Sequence, residues 1–215
     1  MVKQDRAART RRSLIHAAAE VFAREGFAPA SLATISRRAG VSNGALHFHF
    51  ENKRALAQAV EDEAAQTVRR ITEEGAVGPG GALQALVDTT HALMRALADD
   101  IVVRAGFGLG GDAARGQEFW LRREWQRWIE DMLRCAEAEG RLAEGVSPHD
   151  ASPAIVAVTV GLEVLGGDDR GWLSGETVAG FWDLVLPGLA SRREPVPVSS
   201  PRPGGTPARW SRPLG

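Results

Sequence analysis

Ser42, Asn43 and Lys53, with Thr34, Arg37 and Arg38 upstream, combine groups that grip a polyanion with one that reads a base edge. A hydroxyl at a helix start, with free backbone amides behind it, suits a phosphate. An exposed amide such as that of Asn43 can pair with adenine N6 and N7. Lys53 opens the next helical stretch and is expected to meet a phosphate as a point charge. Thr34 and either Arg37 or Arg38 are candidates for further phosphate contacts. Gly44 and Ala45 carry so little side chain that a backbone there can approach a duplex closely. The basic run Lys3–Arg12 is expected to act as an arm on phosphate or the adjacent minor groove.

Residues 31–50, SLATISRRAGVSNGALHFHF, supply the elements that would position these groups. Ser31 suits the cap of a short helix carrying Leu32 and Ile35. Gly40 offers the left-handed turn residue, and Val41 an apolar plug. Ser42 then caps a second short helix over 43–49. This is a helix-turn-helix pattern, whose second helix enters the major groove by its N-terminal end. Leu46 and Phe50, with Phe48 beside them, are expected to face inward onto Leu14, Val21 and Ile35.

Other chemistries fit poorly. Residues 106–111 spell G-x-G-x-x-G, but no convincing strand precedes them, so they read as a flexible connector rather than a dinucleotide loop. His47 and His49 are two apart and cannot converge on a metal from one helix. His16, His91 and His149 lie in separate segments. Cys135, on what reads as an apolar helical face, behaves as a small hydrophobe. The pairs Asp99–Asp100 and Asp168–Asp169 fall at expected helix ends, where capping is the better role. With no nucleophile elbow, phosphate loop or zinc motif, no catalytic residue, metal or cofactor is expected, nor an enzyme.

The 215 residues carry a formal charge of −1, which conceals a division. Residues 1–55 hold ten bases and four acids, net +6, whereas 56–190 hold eleven bases and 22 acids, net −11. A basic head on an acidic body suggests that only the head meets a polyanion. Residues 191–215 include six prolines and no apolar period, as expected of a disordered tail. The longest apolar stretch, Ala154–Leu162, falls short of a membrane span, and the N-terminus lacks the apolar segment of a signal peptide. A single cysteine excludes an internal disulfide, and a cytoplasmic location is expected.

The apolar period is helical nearly throughout, so the fold class is all-α. Leu14, Ala18, Val21 and Phe22 place a helix over 7–24, and another begins near Lys53. After a break at Gly75–Gly81, Leu83, Leu86, Val87, Thr90, Leu93 and Leu97 line the next. Leu121, Trp125, Trp128, Met132 and Cys135 line a further one ending near Gly140. Ala151–Leu165 is apolar on two faces, as is the segment carrying Val178, Phe181, Trp182, Val185 and Leu189. Each is expected to be buried on both sides, packed against a second copy or inside the core. Three tryptophans, 120, 125 and 128, fall within nine residues. Trp125 and Trp128 should point inward, as core filling or as walls of a ligand pocket with Phe107, Met94, Val158 and Leu162.

Ala17–Phe22, Glu25-Gly26-Phe27, Ile35, Ala39–Ser42, Gly44-Ala45-Leu46, Phe48-His49-Phe50 and Lys53 together resemble the TetR family of repressors. The resemblance spans 7–60 and implies a three-helix DNA-binding head plus a larger helical domain for ligand binding and dimerisation. It places His49 and Lys53 at the DNA. It also marks a departure, since His47 stands where the family usually has a phosphate-contacting tyrosine and this chain has no tyrosine. The phrases 102–109, Glu124-Trp125, Val160-Gly161 and 164–167 are similar to the γ-butyrolactone receptor branch. That implies a homodimer on a palindromic duplex operator, released by a small lactone, with Trp125 packing on the ligand. The alternatives are a drug- or metabolite-sensing relative, and a helical small-molecule binder whose DNA function has decayed.

Overall fold

The structure, a computed structural model, describes residues 2–76, 80–112 and 120–191. The tail expected from 191 onward, beyond its first residue, and Phe119 lie outside the described residues. Among the described residues the only β pairing is an isolated antiparallel bridge between Leu142 and Ala190. None of the described helices is long and apolar enough to cross a membrane.

Helix α1 spans Val2–Glu25 and begins earlier than its apolar stripe suggests. Lys3–Arg12 are therefore helical turns rather than a loose arm. Thr10 Oγ1 donates back to the Arg6 carbonyl at 3.0 Å, and the Arg11 guanidinium lies 5.3 Å from the centre of the Phe50 ring. Helices α2 (Leu32–Arg38), α3 (Asn43–His49) and α4 (Lys53–Gly75) follow. Leu14, Val21, Ile35, Leu46 and Phe50 close the expected small core, joined by Leu56 and Val60 of α4. Phe48 is a correction, because it stands 82% exposed on α3. Leu46 and Phe50 lie a turn apart on the buried face, and Phe48, midway between them, must point away.

Helix α5 (Gly81–Asp99) buries the whole stripe from Leu83 to Leu97. Residues 106–111, expected to be a connector, lie in and at the end of helix α6 (Ile101–Gly110). Asp100 caps it, accepting from the Val102 amide at 2.8 Å. Its Gly106 serves packing: a Cβ there would come within 2.5 Å of Ala64 Cβ on α4. Val102, Ala105 and Leu109 of α6 belong to the head core, while Val103 and Phe107 belong to the core of the body. Helix α4 divides in the same way, with Leu56, Ala57, Ala59 and Val60 in the first core and Ala64, Ala65 and Val68 in the second.

Helix α7 (Trp120–Ala138) buries Leu121, Trp125, Ile129, Leu133 and Ala136. The expected stripe through Trp128, Met132 and Cys135 is rotated by one position: the first two are half-buried and Cys135 is exposed. Ile129 and Leu133 continue the fourfold spacing from Leu121 and Trp125, which leaves Cys135 on the outer side. Helix α8 (Pro148–Leu165) buries Ser152, Ile155, Thr159 and Leu162 only, and α9 (Gly175–Leu189) buries Val178, Trp182, Leu186 and Leu189. Val156, Phe181 and Val185 pack partly buried against the body core, whereas Val158 at 37% exposure, Val164, Leu165 and Leu184 at 82% stay open. Among the described residues, each of these helices is therefore fully buried along one face only.

Candidate functional site

Sequence and geometry meet most closely between α2 and α3. Ser31 Oγ accepts from the Thr34 amide at 3.1 Å, and its hydroxyl donates to Thr34 Oγ1 at 2.9 Å. The end of α2 is closed by Gly40 at φ +68 and by the Val41 amide, which reaches back to the Ser36 carbonyl at 3.0 Å. Ser42 Oγ then accepts from the Ala45 amide at 3.1 Å. That bond uses Ser42 as an acceptor and leaves its O–H to donate outward. Asn43, Gly44 and His47 are exposed on α3, and Ala45 and His49 are half-buried. The His49 ring meets Phe48 edge-on with centroids 5.2 Å apart.

Of the two arginines ending α2, Arg38 is held by the Glu20 carboxylate of α1. The Arg38 hydrogen bond holds the Glu20 carboxyl below its ordinary range; burial opposes this, while the charges of Arg38, His16 and Arg24 assist. Arg37 is exposed and makes no ion pair among the described residues. Arg38 thus docks α2 onto α1, and Arg37 is the one available to a ligand.

Lys53 is placed differently from its expected phosphate role. Its Nζ donates to the carbonyls of Phe27, Ala28 and Ala30 at 2.8, 2.9 and 2.8 Å. An ammonium has three donors, so all are occupied. The same Nζ lies 4.7 Å from the centre of the Phe27 ring. These carbonyls lie past the end of α1, where helical amide partners run out, and the cation at the start of α4 satisfies them.

One exposed group escaped sequence reasoning: Phe48, one helical turn beyond Gly44 on α3. An apolar ring on this helix has no packing role within the head, which suits contact with a thymine methyl group. The signal was an apolar residue at every second position of 46–50, a spacing a helix cannot bury on one side.

The second candidate site lies in the body. Trp125, 2% exposed, sits in one cluster with Phe107, Met94 and Leu162. Its indole Nε1 donates to Thr159 Oγ1 at 3.0 Å, and the Thr159 hydroxyl donates onward to the Val156 carbonyl at 3.1 Å. Trp128 packs against the cluster and stacks on Trp125, centroids 5.1 Å apart and planes 14° from parallel. Five of the six expected lining residues are therefore together. Val158 is the exception, on the open face of α8. Trp182 Nε1 and Ser152 Oγ are buried with no hydrogen-bond partner among the described residues. Sequence reasoning named Trp182 only as an apolar residue and did not single out Ser152 or Thr159; a serine and a threonine seven apart on an apolar helix were the available sign.

Comparison with known proteins bears on both sites. A profile described as bacterial regulatory proteins, tetR family, matches residues 14–60, from within α1 into α4. The A-factor receptor protein of Streptomyces griseus is 36% identical over 195 residues, covering 88% of this chain and 67% of that protein. A solved gamma-butyrolactone receptor, ArpA-like, superposes with a TM-score of 0.74 at 26% identity, covering 87% of this chain and 90% of that one. CprB from Streptomyces coelicolor, in complex with its biological operator sequence, superposes with a TM-score of 0.73 at 28% identity, covering 87% and 91%.

Proposed function

The chain belongs to the TetR family of bacterial regulatory proteins, and on that premise we propose that it represses from a palindromic operator until a γ-butyrolactone-type effector enters its body. It is a ligand-responsive, DNA-binding transcriptional regulator homologous to the γ-butyrolactone receptors. At the DNA, the Ser42 hydroxyl, Thr34 and Arg37 take phosphates, as do His47 and His49, while Asn43 and Phe48 read base edges. Gly44 and Ala45 allow the close approach. The exposure of Arg37 on α2, of Ser42 at the cap of α3 and of Asn43, His47 and Phe48 along α3 supports this assignment.

The observation that carries the effector reading is the closed core around Trp125. An apolar ligand finds there a large aromatic wall, in a cluster that also holds Trp182, and the buried Trp182 Nε1 on α9 and Ser152 Oγ on α8 have no hydrogen-bond partner among the described residues. Because Trp125, Met94, Phe107 and Leu162 are packed together, the ligand enters only a state in which these helices have parted. Helix α6 has one face in this core and the other in the head, so such a parting moves α1 and α4 as well. The ligand shifts operator affinity by its differential binding to the two states, typically ~1–3 kcal/mol.

Two heads are required to span half-sites about one helical turn, ~34 Å, apart. The open apolar faces of α8 and α9, with Val158, Leu165 and Leu184, are the surface on which a second copy packs. Gel shift on the chain's own upstream region, with and without a γ-butyrolactone, tests the proposal together with tryptophan quenching. Salt-sensitive, sequence-selective binding released by the lactone is expected. A bound operator that persists at saturating lactone, with unchanged fluorescence, points instead to a different effector such as a drug or metabolite.

A further inference from the structure

A second concave surface lies away from Trp125. Between α1, α6 and the C-terminal end of α8 runs a cleft of about 640 Å³, within the range of small-molecule sites. One wall belongs to the head, through Ala23 and Arg24. The other belongs to the body, through Ile101, Arg104, Val164 and Arg170.

The charges on these walls are unevenly matched. Of the carboxylates lining it, Glu20 is held by Arg38 and Asp112 accepts from the Phe27 amide at 3.0 Å. Glu163 receives Arg122 through two bonds, at 2.8 and 3.0 Å. Arg104 and Arg170 have no such partner among the described residues. Arg104 Nη1 donates to the Leu97 and Ala98 carbonyls at 3.2 and 3.1 Å, and Arg170 Nη1 also donates to Ala98. Two guanidiniums thus meet on one carbonyl at the end of α5, each with further N–H groups left over. Burial, then the Arg170 charge, disfavour the charged form of Arg104, while Asp100 and Asp99 favour it. An anion placed between the two cations relieves that repulsion.

We propose that this cleft binds an amphiphilic carboxylate, its head on Arg104 and Arg170 and its apolar part on Ala23, Ile101 and Val164, as a second effector site. A planar carboxylate matches the fork of each guanidinium. Because its walls come from head and body, a ligand held there also biases their relative placement.

The test is calorimetric titration of the full chain with sodium decanoate, and with 1-decanol as the uncharged equivalent. Saturable decanoate binding is expected, weakened about tenfold or more in R104Q/R170Q and for decanol, as loss of a charge-assisted pair implies. Both arginines also cap α5, so a second variant guards against simple unfolding. Gly108 lines the cleft, and a Cβ added there would meet nothing within 4 Å, so G108E is chosen to add a carboxylate at the cleft. It should weaken decanoate comparably while leaving the melting temperature intact. The W125F variant should bind decanoate normally, which separates this site from the proposed lactone core. Equal binding of decanol, undiminished binding in G108E, loss of binding in W125F, or no decanoate binding at all would each overturn the proposal.

Discussion

Lys53 Nζ donates to the Phe27 carbonyl at 2.8 Å and lies 4.7 Å from the centre of that residue's ring. The start of α4 is thereby fastened to the end of α1, across the turn that leads into the helix-turn-helix. A lysine that looks by position like a phosphate ligand is instead the fastener of the DNA-binding head.

Replacing Lys53 by Met should therefore cost stability, about 1.5–3 kcal/mol for hydrogen bonds to a charged group. Urea unfolding measures it. The salt dependence of operator binding should keep its slope. A stable variant whose slope falls by about one would return Lys53 to the phosphate backbone.

Asn43 and Phe48 present different chemistry on the same exposed helix. N43A should relax preference at one adenine by about 1–3 kcal/mol, and F48A should relax preference at one thymine. Randomised-site selection reads this directly. Uniform weakening across all sequences would show that neither reads a base.

Thr159 is the acceptor for the buried Trp125 indole. T159V keeps the shape and removes the acceptor, at about 1–3 kcal/mol. T159S should recover most of that in a denaturation series. The same T159V variant should show weaker lactone quenching, because the Trp125 ring loses its fixed orientation.

Gly106 lets α6 lie against Ala64 of α4. G106A should push the two helices apart and lower stability by about 1–3 kcal/mol, as overpacking does. Operator affinity should drop with it, since α4 also carries the head. Adding A64G should restore much of both, and a double-mutant cycle without coupling would reject this contact as the link.

Leu184 is the most exposed large apolar side chain of α9, at 82%. L184E should leave the monomer folded and shift sedimentation toward a single chain. Operator binding should then weaken steeply, because each head holds only one half-site. A dimer that survives the substitution would move the interface elsewhere.

The head was legible in the sequence because its determinants are local. Ser31, Gly40 and Ser42 act on amides and carbonyls a few residues away, so their types and spacing suffice to place α2 and α3. Where the determinants are distant, the same reasoning went astray. The glycines of 106–111 suggest a loose connector until Ala64, far away in the chain, is seen to require the first of them. Cys135 looks buried until the seam of α7 is seen to follow Ile129 and Leu133.

The sequence alone determined the all-helical class, the helix-turn-helix, the basic head and the inward-facing Trp125, all properties of period, capping and charge within short windows. The tertiary structure decided which cation serves which partner: Lys53 on three carbonyls, Arg38 on Glu20, Arg104 and Arg170 left facing a cleft. It also decided that α6 belongs to two cores at once. A side chain's partner depends on which atoms of remote segments come within about 3 Å, and that is settled only when the helices pack.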